Sequence, residues 1–122
     1  MSSVLIVEDY ENIKNLYGEA FSLAGFSVVT AKSGHEGLEK TKNQEFDIII
    51  LDVLMLELSG TDFLKGFEPA KHPKTQVIIV SNLDSPGVIA KTKALGAVDY
   101  LIKSQYTPNE LVKYVKARLS KK

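Results

Sequence analysis

Five short apolar runs, each followed by a segment of helical periodicity, limit the folds open to this chain of 122 residues. The runs are rich in Val and Ile, and most do not alternate with polar residues, as is typical of strands buried on both faces of a parallel sheet. They cover residues 4–7, 26–30, 48–51, 77–80 and 100–102. Because crossovers between parallel strands are right-handed, five successive β-α units predict an α/β fold with a doubly wound parallel sheet.

Capping signals indicate where the helices begin and end. Ser33 and Glu36 have the spacing of a capping box at the start of the second helix. Ser85 followed by Pro86 is typical of an N-cap and first helical residue, here of the fourth helix. The other boundary signals are Gly25 and Gly96 as helix ends, Gly60 before a short third helix, and Thr107, Pro108 and Glu110 at the start of the fifth.

Composition excludes several classes of protein. Hydrophobic residues make up 44% of the chain, charged residues 25%, and the formal net charge is zero, so no global field attracts nucleic acid or a membrane surface. The absence of cysteine excludes disulfides, cysteine-zinc sites and a cysteine nucleophile. No apolar run is long enough to span a bilayer, and no basic segment precedes the first run as in a signal peptide. We therefore expect a cytoplasmic protein.

Polar residues follow four of the five predicted strands. Glu8 and Asp9 follow the first strand, Asp52 the third, Ser81 the fourth and Lys103 the fifth. Ligands of open α/β sheets bind beyond the carboxyl ends of the strands, so these side chains are expected to converge at one edge. Any one of these polar side chains, taken by itself, could simply contact water, and Asp9 could cap the first helix. Asp52 lies between two apolar tetrapeptides, where a carboxylate without a partner is costly.

The residue types in this cluster favour phosphoryl chemistry. Adjacent carboxylates repel one another unless a cation intervenes, and oxygen-only ligands favour Mg²⁺. A site with Mg²⁺, an ammonium and a hydroxyl can hold the equatorial oxygens of a transferring phosphoryl group. A carboxylate such as Asp52 can act as the nucleophile and form an acyl phosphate.

With this distributed set of an acidic pair, an isolated Asp, a hydroxyl and a Lys, the whole chain resembles the response-regulator receiver domain of two-component signalling. The resemblance implies a flavodoxin-like (βα)5 three-layer sandwich with sheet order 2-1-3-4-5, formed as one receiver domain over residues 1–122. It implies a phosphoacceptor that catalyses only its own phosphorylation and dephosphorylation. The implied partners are a histidine kinase or a histidine phosphotransfer protein, and an unknown downstream protein.

The resemblance also assigns roles around the phosphorylation site. Asp52 is the expected phosphorylation site. Asp9 and Asp52 are expected to bind Mg²⁺ or Mn²⁺ directly, together with the backbone carbonyl of Leu54. Glu8 is expected to act on the metal mainly through water.

Three further residues form the implied switch. Ser81 is expected to bond the phosphoryl oxygen after activation, and Lys103 to pair with the phosphoryl group. Tyr100 occupies the aromatic switch position, and we hypothesise that it turns inward and reshapes the face of helix four, strand five and helix five. A structural alternative for Tyr100 is packing on the fifth helix. The resemblance implies no direct contact with nucleic acid or membrane, and a monomer or weak homodimer.

Three positions depart from the family pattern. Leu56 replaces the usual Pro after the Met of the phosphorylation loop, Ser104 the usual Pro after Lys103, and Asn82 the usual small residue after the hydroxyl. A cis peptide before a residue other than proline costs about 2.5–4 kcal/mol, so the Lys103–Ser104 bond is expected to be trans or strained. Because Leu54 and Leu83 provide no group that could position a water, we expect slow loss of the phosphoryl group.

Other functions stay open at this point. A receiver-like domain that is never phosphorylated would be a fixed interaction module, and the three departures keep this alternative open although none removes a chemical group that phosphorylation needs. An aspartate-based Mg²⁺-dependent phosphatase would need a second Asp two residues after the nucleophile, where Leu54 stands. A flavin-binding flavodoxin would need a phosphate loop after the first strand, where acidic residues would repel the phosphate.

Overall fold

The alternation of strands and helices is present along the chain, in a computed structural model that describes residues 2–55 and 57–120. The strands are β1 (Ser3–Val7), β2 (Ser27–Ala31), β3 (Ile48–Leu51), β4 (Gln76–Ser81) and β5 (Asp99–Ile102). The helices are α1 (Glu11–Leu23), α2 (Gly34–Asn43), α3 (Gly60–Phe67), α4 (Pro86–Ala94) and α5 (Pro108–Ser120), with 3₁₀ turns at Pro69–Lys71 and Lys103–Gln105. Within these described ranges, no helix combines the length and the apolar content that a bilayer crossing requires.

The five strands form one parallel sheet in the order β2-β1-β3-β4-β5, which confirms the predicted doubly wound, flavodoxin-like topology. In this register Val7 lies opposite Leu51, and Ser81 lies opposite Ile102. All strands therefore end at the same edge of the sheet. The residues that directly follow β1, β3 and β5 are Glu8, Asp52 and Lys103, so the topology alone brings these three positions to one edge.

The helices cover both faces of the sheet and form two apolar cores. Helices α1 and α5 pack on one face, where Phe21 and Leu111 are fully buried. Helices α2, α3 and α4 pack on the other face, where Phe63 is fully buried. Strand side chains alternate between the cores, which explains why the central strands have no polar side. Fully burying an apolar side chain of this size contributes roughly 1.5–3 kcal/mol, so the two cores provide the main stabilisation.

The predicted caps are present, with one difference in detail. Thr107 and Glu110 form both arms of a capping box: the Glu110 N–H donates to Thr107 Oγ1 at 3.1 Å, and the Thr107 N–H donates to Glu110 Oε1 at 2.8 Å. At α2, Ser33 Oγ accepts from the Glu36 N–H at 3.1 Å. The Glu36 carboxylate, however, accepts from the Lys32 N–H instead of the Ser33 N–H.

The glycines expected to end α1 and α4 lie just beyond those helices. Helix α1 ends at Leu23 and α4 ends at Ala94, in each case two residues before the glycine. Gly25 and Gly96 have φ angles of +96° and +109°, the left-handed region that glycine adopts without strain. Each glycine N–H bonds a carbonyl of the preceding helix, so the glycine turns the chain after the last helical residue.

Candidate functional site

Glu8, Asp52 and Lys103 form one ion-paired cluster at the carboxyl edge of the sheet. Lys103 Nζ donates to Glu8 Oε1 at 2.6 Å and to Asp52 Oδ2 at 2.8 Å. Lys103 is 95 positions from Glu8 and 51 positions from Asp52 along the chain, so only the sheet order brings the three residues together. The predicted convergence of these side chains is present, and the buried Asp52 has the charged partner that its environment requires.

The cluster is largely removed from water. Glu8 and Asp52 are 3% and 6% exposed, and the Lys103 side chain is 15% exposed. Burial raises the pKa of Glu8, although the bonds from Lys103 and from the Tyr10 N–H act to lower it. Burial acts to lower the pKa of Lys103, but its hydrogen bonds to Asp52 and Glu8 outweigh that effect, and the pKa is raised. The ammonium therefore stays charged between the two carboxyl groups.

Backbone N–H groups fix the two carboxylates. The Tyr10 N–H donates to Glu8 Oε2 at 3.1 Å, and the Leu54 N–H donates to Asp52 Oδ1 at 3.0 Å. Each carboxylate thus uses one oxygen for its own loop and the other for Lys103. A turn of this kind, in which Asp accepts from a backbone N–H two residues on, fixes the side chain locally.

Gly60 allows α3 to pack directly on the loop that carries Asp52. A Cβ atom at Gly60 would lie 2.6 Å from Val53 Cα and 2.7 Å from the Asp52 carbonyl oxygen. The Gly60 N–H also donates to the Val53 carbonyl at 3.2 Å. The close contact between the helix start and this loop therefore requires glycine.

Ser81 and Tyr100 meet at the loop that follows β4. Ser81 is fully buried, and its Oγ accepts from the Leu83 N–H at 3.2 Å. The Tyr100 hydroxyl donates to the Leu83 carbonyl at 2.5 Å. The ring packs in the core on the α2, α3 and α4 side, with Val88 and Leu95 in the same cluster. The interpretation that Tyr100 packs on the fifth helix is therefore wrong, because alternate residues of β5 face opposite cores.

Asp9 lies beside the cluster and lines a different space. With Lys32, Ser33, Met55 and Glu57, it borders a cavity of about 230 Å³. The N-cap position of α1 is Tyr10, so Asp9 is not the cap residue. Among residues 2–55 and 57–120, no three His, Asp or Glu side chains are grouped so as to hold a metal ion. Metal binding by Glu8, Asp9, Asp52 and the Leu54 carbonyl stays a prediction.

Two of the three departures from the family pattern contact each other. The Ser104 N–H donates to Asn82 Oδ1 at 2.8 Å, and the Lys103–Ser104 peptide is trans. Sequence reasoning treated these positions separately, although each directly follows a residue of the predicted site. The third departure, Leu56, lies outside the described residues.

Comparison with known proteins agrees with this arrangement. Residues 4–116 match the family model of the response regulator receiver domain. The chain belongs to this family. Receiver domains are phosphoacceptors and not conventional enzymes, they bind Mg²⁺ at the phosphorylation site, and they interact with histidine kinases and phosphotransfer proteins.

Curated relatives contain a sequence similar to this chain within longer proteins. The receiver domain is 31% identical over 112 residues to the response regulator SaeR of Staphylococcus aureus, covering 92% of this chain and 48% of SaeR. It is 31% identical over 101 residues to a cyclic di-GMP phosphodiesterase of Thermotoga maritima, covering 83% of this chain and 27% of that protein. The chain thus spans less than half the length of either relative.

Solved structures match nearly the whole chain. The chemotaxis protein CheY4 of Vibrio cholerae superposes with a TM-score of 0.88 at 31% identity, covering 96% of this chain and 98% of CheY4. A CheY-like receiver domain protein of Methanospirillum hungatei gives 0.91 at 25% identity, with coverages of 99% and 95%. The response regulator TrrA of Thermotoga maritima, solved in complex with Mg²⁺-BeF, gives 0.82 at 29% identity, with coverages of 96% and 98%.

Proposed function

We propose that this receiver domain accepts a phosphoryl group on Asp52 from a histidine kinase or a histidine phosphotransfer protein. The observation that carries the proposal is a buried Asp52 carboxylate whose Oδ2 lies 2.8 Å from the Lys103 ammonium. In the transfer, an Asp52 oxygen forms a bond to phosphorus while the bond from phosphorus to the donor breaks. The donor keeps that electron pair, and Asp52 becomes an acyl phosphate.

The neighbours of Asp52 suit the charge that this reaction develops. The Leu54 N–H holds Oδ1, which leaves Oδ2 on the side of the positive charge. Lys103 is tethered to Glu8 as well, so its ammonium can stay at the site while Asp52 is modified. A cation already fixed beside the reacting oxygen stabilises equatorial phosphoryl oxygens without reorganisation.

The oxygen donors around Asp52 also fit a divalent cation. Glu8 and Asp52 share the single Lys103 ammonium, and Asp9 directly follows Glu8, so negative charge is in excess at the proposed site. Oxygen-only donors at such a site favour Mg²⁺, with Mn²⁺ as an alternative. Asp9, Asp52 and the Leu54 carbonyl would hold the ion directly, and Glu8 would act mainly through water. When bound, the ion would offset the negative charge of the incoming phosphoryl group.

The switch would be transmitted through Ser81 and Tyr100. The Tyr100 hydroxyl donates to the carbonyl of Leu83, and the Ser81 hydroxyl accepts from the N–H of the same residue. If Ser81 turns toward phosphoryl oxygens, the Leu83 backbone loses one contact and Tyr100 must adjust. Because Tyr100 lies on β5 and packs in the same core as Val88 of α4, this movement would change the α4-β5-α5 face that a downstream protein binds.

The loss of the phosphoryl group should be slow. Leu54 is 55% exposed beside Asp52, and neither Leu54 nor Leu83 has a side-chain group that could orient an attacking water. The rate at which the phosphoryl group is lost can be measured in Mg²⁺ buffer. A fast rate that does not change when both leucines are substituted would contradict this expectation.

A second candidate is a fixed interaction module that is never phosphorylated. The size of Asn82 favours it, because Asn82 directly follows Ser81 where the family usually has a small residue. This module would keep its partner surface constant. A phosphatase or flavodoxin function finds no comparable support, given membership of the receiver family.

Intact mass spectrometry after incubation with a small phosphodonor distinguishes the two candidates. Wild type should gain one phosphoryl group with Mg²⁺ and none with EDTA, whereas Asp52→Asn should gain none. Asp62→Asn, which changes an exposed carboxylate on α3, is the matched control and should behave as wild type. No gain by wild type under any condition would contradict the phosphoacceptor proposal and support the interaction module.

A further inference from the structure

A hydrogen bond joins the two loops that carry Ser81 and Lys103. Asn82 directly follows Ser81, Ser104 directly follows Lys103, and the Ser104 N–H donates to Asn82 Oδ1 at 2.8 Å. The two residues are 22 positions apart and both are exposed, so neither burial nor local sequence requires this contact. It lies one residue from each of two side chains of the proposed site.

The same loop is held by β5 at a second point. The Tyr100 hydroxyl donates to the Leu83 carbonyl at 2.5 Å, on the other side of Lys103 along the chain. Residues 82–83 are therefore bonded to positions 100 and 104, which flank Lys103. The loop after Ser81 is thus bonded to the Tyr100 side chain before Lys103 and to the Ser104 backbone N–H after it.

The bond also satisfies a donor that has no helical acceptor. Ser104 lies in the 3₁₀ turn Lys103–Gln105, and the first N–H groups of a helical turn have no partner within it. A proline at position 104, the residue that the family pattern favours, would have no N–H and would fix its own φ angle. The bond to Asn82 therefore requires a residue other than proline at position 104.

We propose that Asn82 is a positioning residue, which holds the backbone after Lys103 through the Ser104 N–H and so keeps the Lys103 ammonium aimed at Asp52. The proposal rests on the proposed phosphoacceptor function of Asp52. Without this bond, the 3₁₀ turn is free to move away from the β4 edge, and Lys103 spends less time within bonding distance of Asp52. The rate of phosphoryl uptake at saturating donor should then fall, while the donor concentration for half-maximal rate stays unchanged.

Reciprocal substitutions test the proposal with wild type and four variants of the full chain. Asn82→Ala removes the acceptor and should slow phosphoryl uptake from a small phosphodonor about fivefold, the factor expected for one ordinary hydrogen bond. Ser104→Pro removes the donor of the same hydrogen bond, so it should also be slow. Ser104→Ala keeps the N–H and loses only the hydroxyl, so it serves as the matched control and should equal wild type.

The double variant with Asn82→Ala and Ser104→Pro separates positioning from general damage. Asn82→Ala and Ser104→Pro remove the same hydrogen bond, so their losses should not add, and the double variant should be about as slow as Asn82→Ala alone. Additive losses in the double variant, an unchanged or faster Asn82→Ala, or a Ser104→Ala as slow as Asn82→Ala would each overturn the proposal.

A second measurement keeps this test independent of the proposed function. The ¹⁵N signal of the Lys103 ammonium should be protected from exchange in wild type and Ser104→Ala, and broadened in Asn82→Ala. If wild type takes up no phosphoryl group, the phosphoacceptor function fails and this signal alone decides the positioning proposal. An equal Lys103 signal in wild type and Asn82→Ala would overturn it.

Discussion

At the scale of single residues, Lys103 determines the electrostatics of the site. It is the only cation bonded to the buried Glu8 and Asp52 in the part of the chain that the structure describes. Sequence alone could predict that these residues converge, because each directly follows a strand of a parallel sheet. It could not predict which carboxylates Lys103 would bond, since Asp9 is adjacent to Glu8 and has the same chemistry.

Replacing Lys103 with Met should destabilise the protein in a pH-dependent way. Two buried carboxylates lose their counter-charge, so the free energy of unfolding at pH 7 should fall by about 3 kcal/mol. Burial already raises the pKa of Glu8, and a carboxyl whose folded-state pKa is raised destabilises the fold above that pKa. The difference in free energy of unfolding between wild type and Lys103→Met should therefore become smaller as the pH falls and Glu8 becomes protonated. Urea denaturation of both proteins between pH 4 and pH 7 measures it.

Asp52→Asn is the control for this prediction. It leaves a one-to-one pair of Glu8 and Lys103, so its free energy of unfolding should stay within about 1 kcal/mol of wild type. If Lys103→Met were as stable as wild type at pH 7, the ammonium would not be needed to compensate the carboxylates.

The Asn82–Ser104 bond is the residue-scale feature that sequence analysis missed. Both positions were noted as departures from the family pattern, but a side-chain contact between two loops depends on their backbone paths. No periodicity or strand-end rule specifies those paths. The available signal was that both departures follow site residues and that one supplies an N–H which proline lacks.

At the scale of elements, caps and glycines were the most informative sequence signals. The Thr107–Glu110 capping box was predicted and is present, because its bonds join residues three positions apart and depend on local backbone alone. The close packing of α3 on the loop after β3 could not be predicted in the same way. Gly60 was expected before α3, but its close contact with Val53 depends on how α3 packs on the loop after β3.

Gly60→Ala should destabilise the protein and disturb the loop that carries Asp52. The added Cβ would lie 2.6 Å from Val53 Cα, and backbone atoms cannot move aside as a flexible side chain can. We expect a loss of about 1–3 kcal/mol in the free energy of unfolding. Gly87→Ala in α4 is the control, because its Cβ would meet no atom within 4 Å, and it should stabilise by about 0.5 kcal/mol. Equal effects of the two substitutions in urea denaturation would contradict this account.

Glu110→Ala should reduce stability at neutral pH and matter less in acid. The bonds to the Thr107 N–H and Thr107 side chain lower the pKa of Glu110 in the folded protein. A lowered folded-state pKa stabilises the fold above the unfolded-state value of 4.5, and this stability is lost as the pH falls through the folded-state pKa. The urea midpoints of Glu110→Ala and wild type should therefore differ at pH 7 and approach each other below pH 4. A pH-independent difference would show that the carboxylate charge plays no part.

At the scale of the whole molecule, the sheet order connects the site to a distant surface. The order β2-β1-β3-β4-β5 could be expected from the resemblance to the receiver family, and it puts β4 and β5 together at one side. The switch role of Tyr100 stays a prediction. Its packing could not be predicted, because the sequence does not say which residues of β5 face each core. The bond from its hydroxyl to Leu83 links β5 to the loop between β4 and α4.

Phosphorylation should therefore change the α4-β5-α5 face through Tyr100. In ¹H–¹⁵N spectra of wild type, a phosphodonor with Mg²⁺ should shift amide signals of α4 and β5 more than those of α2. Tyr100→Phe lacks the hydroxyl that bonds Leu83, so it should take up the phosphoryl group while the shifts in α4 become smaller. Tyr10→Phe, at an exposed tyrosine, is the control. Shifts in α4 that are the same in Tyr100→Phe and wild type would contradict transmission through Tyr100.

Chemical mapping of the phosphorylated residue tests the proposed role of Asp52 itself. Borohydride reduces an acyl phosphate of aspartate to homoserine, so phosphodonor-treated and reduced protein can be digested and sequenced by mass spectrometry. The account predicts homoserine at position 52 in samples that contained Mg²⁺, and at neither Asp9 nor any other carboxylate. Homoserine at another position, or none anywhere in protein treated under the same conditions, would contradict it.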